Sequence, residues 1–97
     1  MAYFLLRLIP ARPTFQQDMG EAERQVMLEH VAYWTGQVEA GRMLIFGPVA
    51  DPKGGWGVGI LEAEDEEAAR RLTLDDPAMK AGAFTTEILP MPRLVRK

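Results

Sequence analysis

A chain of 97 residues has the length of one domain, 1–97, with one core, and a composition of 47% hydrophobic and 26% charged residues is that of a folded globular protein. A formal charge of -3 with eleven mostly scattered Lys and Arg gives no basic footprint for nucleic acid. The absence of cysteine excludes disulfides and thiolate metal sites, and a single histidine leaves too few soft ligands for a structural metal.

The run Tyr3-Phe4-Leu5-Leu6-Arg7-Leu8-Ile9, closed by Pro10 and Pro13, reads as a buried strand over residues 3–9. It is too short, and interrupted by an arginine, to serve as a membrane span or a secretion signal, so the cytoplasm is the expected location. From about Gly20 the spacing becomes helical, with Met27, Val31, Trp34 and Val38 recurring every three or four residues and Gly41 supplying the stop. Met43-Leu44-Ile45-Phe46, ended by Gly47-Pro48, predicts a second strand, and Trp56 to Ala63 a third; the Pro and Gly between them predict an antiparallel hairpin. Asp65-Glu66-Glu67 opens a second helix, with carboxylates at its start and Arg70 and Arg71 further on, as the helix dipole favours. Asp76-Pro77 ends or kinks that helix, and Phe84 to Leu89 reads as a fourth strand.

The order β-α-β-β-α-β, with two right-handed crossovers, predicts an α+β, ferredoxin-like fold: a four-stranded antiparallel sheet with both helices on one face. The first strand is apolar at both parities, Tyr3, Leu5 and Ile9 against Phe4, Leu6 and Leu8, so its second face also calls for cover. Packing of that face on a second copy would supply it, and a domain this small gains stability from a partner, which makes a homodimer the expected state. The alternative is a monomer with a few exposed apolar residues.

The chain has no serine, no glycine-rich phosphate loop and no His-Glu-x-x-His, which excludes serine hydrolysis and leaves acid and base chemistry. His30 is the one side chain whose ordinary pKa, about 6.5, suits proton transfer at neutral pH. It borders the apolar stripe between Met27 and Trp34, where it is either a base or a boundary histidine bonding a carbonyl. Asp76, just before Pro77, is either the carboxylate that orients the imidazole or a turn former, and the adjacent Asp75 competes for both roles. Arg7 is placed equally well to clamp a substrate carboxylate or to pair with Glu87 across the sheet. Trp34 and Trp56 offer stacking surfaces for a planar ligand but also suit a core. Asp51 suits the hairpin turn, and the acidic run from Glu62 to Glu67 needs no ion as a solvated strand end and helix start, so no metal is expected.

Taken together, Glu29-His30-Val31-Ala32-Tyr33-Trp34, Gly41, Leu44, Phe46-Gly47-Pro48-Val49, Gly55-Trp56-Gly57, Asp76-Pro77-Ala78, Gly82 and Glu87-Ile88-Leu89-Pro90-Met91 resemble the YciI-like, or YCII-related, family over almost the whole chain. The resemblance implies a dimeric α+β barrel and a pocket with a histidine and aspartate pair, matched here by His30 and Asp76. It also implies isomerisation or elimination on small ring compounds where the chemistry of members is assigned. Arg7, Trp34, Gly47 and Pro48 are the residues expected at the substrate, and no cofactor is expected. Two departures bear on the pocket: Ala78 stands where a bulkier residue usually follows Asp-Pro, and there is no second histidine. The leading expectation is a small proton-transfer enzyme, a lyase or isomerase, acting on a small molecule without nucleic acid or membrane partners. A non-catalytic small-molecule binding domain is the alternative, and a purely structural interaction module a third.

Overall fold

The computed structural model describes residues 1–97 and runs β1 (Ala2–Pro10), α1 (Phe15–Asp18), α2 (Glu21–Glu39), β2 (Met43–Val49), β3 (Trp56–Ala63), α3 (Glu66–Leu74), α4 (Pro77–Lys80) and β4 (Phe84–Met91). The strands form one sheet in the order β2-β3-β1-β4, antiparallel at every pairing. Each of the two longer connections, β1 to β2 and β3 to β4, therefore skips one strand, which is the expected ferredoxin-like α+β arrangement.

The two faces of the sheet follow from the register. Phe4, Leu6 and Leu8 of β1 are buried with Leu61 of β3, Trp34 of α2 and Ala69 of α3 in one cluster, so both long helices lie on this face. Leu6 and Leu61 are completely inaccessible and Leu8 nearly so, and each such side chain contributes about 1.5–3 kcal/mol relative to exposure. The opposite face carries Tyr3, Leu5, Arg7 and Ile9, paired to Glu62, Ile60 and Val58 on one side and to Met91, Leu89, Glu87 and Thr85 on the other. It is largely apolar and only partly covered in the single chain: the C-terminal residues Leu94 to Lys97 border Ile45 and Ile60, while Ile45 and Leu89 stay about half exposed.

Two differences from the sequence expectation have local causes. The strands β2 and β4 run on through Pro48 and Pro90 instead of stopping before them. Both are edge strands, where a residue without an N–H can face away from the ladder. The inward stripe of α2 is also rotated by about one residue: Val31 and Val38 are exposed, and the side turned inward carries Glu23, Val26, Met27, His30, Tyr33, Trp34 and Gln37. Apolar spacing alone misses this because three of those seven are polar and each holds a partner: Glu23 accepts from Arg12, His30 meets Asp76, and Gln37 accepts from Arg42.

Helix ends fix where the site forms. Gly41, at φ 81°, closes α2 in a Schellman motif, its N–H reaching Val38 O and the N–H of Arg42 reaching Gln37 O at 3.0 Å. Gly82, at φ 73°, closes α4 in the same way, with Ala83 N–H donating to Ala78 O. Asp76-Pro77 both ends one helix and starts another: Asp75 caps the C-terminus of α3, Asp76 caps the N-terminus of α4, and Pro77 occupies the first helical position, where a missing N–H costs nothing.

Candidate active site

The capping position turns the Asp76 carboxylate inward. Its Oδ1 accepts the Ala78 backbone N–H at 2.8 Å, while Oδ2 lies 2.9 Å from Trp34 Nε1 and 2.6 Å from His30 Nδ1. Asp76 is completely buried and His30 is 3% exposed, whereas the neighbouring Asp75 is exposed. The geometry thus joins His30 to Asp76 and not to Asp75. The indole and the backbone amide can only donate, so the carboxylate acts as acceptor, and the short third contact is an Nδ1–H donated by the imidazole. In the neutral imidazole this arrangement places the lone pair on Nε2.

Nε2 bonds no protein group, and His30 forms part of the wall of a cavity of about 400 Å³. The imidazole is held edge-on against Phe46, with centroids 5.2 Å apart, and tilted against Phe84 at 5.3 Å. The rest of the wall is mainly apolar, including Leu8, Phe15, Met27 and Val31, with the Gly47-Pro48 segment of β2 alongside. A ring fixed at Nδ1, packed on two sides and free at Nε2 is chemically able to accept a proton there and to be stabilised as imidazolium by the carboxylate.

The helix junction that carries Asp76 is tied down by Tyr33, whose hydroxyl donates to the Leu72 carbonyl near the end of α3. Burial, with Asp75 and Asp76 nearby, pushes the Tyr33 hydroxyl up to about 12. No three His, Asp or Glu side chains converge anywhere in the chain to hold a metal ion.

Of the residues expected at the substrate, Gly47 and Pro48 line the cavity, and Arg7 and Trp34 do not. Arg7 belongs to the β1 parity that faces away from the helices. There it pairs with Glu87 at 2.7 Å and lies over the Trp56 ring at 4.5 Å, which is the cross-sheet alternative of the two readings. Trp34 is fully buried beneath the site, where it packs on Phe46 and donates its indole N–H to Asp76. Ala78 is buried and contributes its backbone N–H to Asp76, so its small side chain alters packing behind the pair, not the cavity wall. Asp51 caps the hairpin turn, accepting from Lys53 N–H and from Trp56 Nε1. Sequence reasoning missed Gln16, which lines the cavity from α1; four residues between proline and glycine breakers carry no periodic signal that could have found it.

The fold and this geometry define a ferredoxin-like α+β domain with a buried imidazole and carboxylate pair at the wall of a mainly apolar cavity. The chain matches the YCII-related domain over residues 2–92 and belongs to that family. Among solved structures it is similar to 5-chloro-2-hydroxyhydroquinone dehydrochlorinase (TftG) from Burkholderia phenoliruptrix in complex with 2,5-dihydroxybenzoquinone, with 20% identity, a TM-score of 0.66 and 89% of each chain covered. No curated protein matches the chain.

Proposed function

We propose that this protein is an enzyme that moves a proton on a small, uncharged, cyclic or aromatic substrate, with His30 as the base through Nε2 and Asp76 as the group that orients and charge-balances it. The observation that carries the proposal is the buried 2.6 Å contact from His30 Nδ1 to Asp76, with Nε2 unpartnered at the wall of a mainly apolar cavity. In an isomerisation the proton returns to a second atom of the substrate. In an elimination the leaving group departs with its electron pair, and the imidazolium later releases the proton to water. The ligand of TftG, 2,5-dihydroxybenzoquinone, supports a ring-shaped substrate by likeness of fold.

Binding without turnover is the second reading, favoured by one observation: no cationic side chain lines the cavity to stabilise a developing anion. A screen of small cyclic and aromatic acids, lactones and halogenated phenols against wild type and His30→Gln separates the two. Loss of about 10² to 10⁴ in rate with a nearly unchanged melting temperature is the expected outcome. Turnover that survives in the variant ends the catalytic reading, and binding that needs His30 without any turnover favours the second.

The proposal includes a homodimer formed through the sheet face opposite the helices. It is supported by that face being mostly apolar around the Arg7–Glu87 pair.

A further inference from the structure

The cavity wall holds three polar side chains, His30, Gln16 and Trp56. Trp56 is already engaged, its Nε1–H donated to Asp51 Oδ2 at 3.1 Å and its ring face covered by the Arg7 guanidinium. No Lys, Arg, Asp or Glu lines the cavity, so a carboxylate or phosphate ester would enter with its charge unpaired, at a heavy desolvation cost. Apart from the imidazole, the polar side chain left is Gln16.

The Gln16 amide is only loosely satisfied. Its Nε2 is 3.5 Å from the carbonyl oxygens of both Val49 and Trp56, at the outer limit of hydrogen bonding, and its Oε1 has no partner. It therefore keeps donor and acceptor capacity at the cavity. Its position is built, too. A Cβ at Gly55 would lie 2.1 Å from Gln16 Cδ and Oε1, and Gly55 is not in the left-handed region, so space rather than backbone freedom is what this glycine provides. The short helix α1 that carries Gln16 is anchored from both sides. Phe15 packs edge-on against Phe84, and Arg12 binds Asp18 Oδ1 and both Glu23 carboxylate oxygens, each at 2.8 Å.

We infer that Gln16 is a second ligand-binding side chain of this cavity and sets its ligand class, a small uncharged ring bearing two oxygen functions, one directed to His30 Nε2 and one to the Gln16 amide. The inference rests on the reading of the cavity as a ligand site facing His30. Gln16 selects among ring compounds, and His30 is needed for all of them.

Phenol and the three dihydroxybenzenes, catechol, resorcinol and hydroquinone, serve as probes, with dissociation constants taken from the shift of the His30 ring signals on titration. In the wild type one diol binds about 3- to 10-fold tighter than phenol, beyond the twofold statistical gain of a second hydroxyl, as one neutral hydrogen bond allows. Gln16→Leu removes that preference, so that no diol binds more than about twofold tighter than phenol to the same variant. Gly55→Ala, which keeps the amide but pushes it from its seat, does the same. A diol preference that persists in Gln16→Leu, or its absence from the wild type while phenol still shifts His30, overturns the inference and leaves the His30 site standing. If no probe moves the His30 signals, the reading of the cavity falls and takes the inference with it.

Discussion

Replacing Asp76 by asparagine is the most informative perturbation, because the structure fixes what an amide must do there. The carboxylate receives three donors, Ala78 N–H on Oδ1 and both Trp34 Nε1–H and His30 Nδ1–H on Oδ2. An amide in one orientation points its NH2 at the Ala78 N–H, and in the other at the indole N–H of Trp34. His30 could answer the second by changing tautomer, but tryptophan has no such option. Either way one buried donor loses its acceptor, which costs about 1–3 kcal/mol. In a domain of this size each kcal/mol corresponds to a fall of about 4–8 °C in melting temperature. Asp75 is exposed, so Asp75→Asn is expected to stay within about 0.5 kcal/mol. Urea unfolding of both variants measures the difference, and the Trp34 indole and Ala78 amide N–H resonances together report which donor has lost its acceptor. Equal stability of the two variants, or indole and Ala78 amide resonances that both stay in place in Asp76→Asn, would refute the buried-acceptor geometry.

The α1 anchor gives a pH signature: Glu23 is lowered to about 2, by its hydrogen bond to Arg12 first and to Gly20 N–H second, and Asp18 is lowered by Thr14 and Arg12. Such groups contribute stability above their unfolded values, near 4, and lose it as pH falls; Arg12→Gln should flatten the acid limb of the stability curve between about pH 4 and 2, measured by thermal melts. Tyr33, raised to about 12, works in the opposite sense: its contribution is whole below the unfolded value near 10 and is lost as pH rises through 12. Tyr33→Phe should remove that alkaline limb and cost about 0.5–1.5 kcal/mol in urea unfolding at neutral pH for the lost bond to Leu72. Light scattering should give a dimer mass at micromolar concentration and a monomer for Leu89→Asp, which puts a charge on the half-exposed sheet face; a wild-type monomer would end the dimer proposal.

How much of this was legible in the sequence differs between backbone and side chains. Strand order, the long helix and the glycine stop at Gly41 are local signals, carried by periodicity and by φ requirements, and all appear in the structure. The inward face of α2 was read one residue off because hydropathy counts polar residues as outward, while Glu23, His30 and Gln37 turn inward toward partners far along the chain or beyond the helix end. Asp75 and Asp76 are indistinguishable by composition; the cap of α4 separates them, and the pattern Asp-Pro at the start of a helix was the available clue. Arg7 was poised between two partners in the sequence because parity assigns it to a face only once the strand register is known.

The cost of the buried pair bears on what it is for. A carboxylate at 0% exposure has lost its water, and three well-placed donors offset that loss without making the arrangement better than an apolar core of the same volume. A domain of 97 residues has little stability to give away. A structural pair needs no accessible nitrogen, whereas a proton-transfer pair does. Here Nδ1 is committed to Asp76 while His30 lines the cavity with no protein partner at Nε2. That asymmetry is what a base presented to a bound molecule requires.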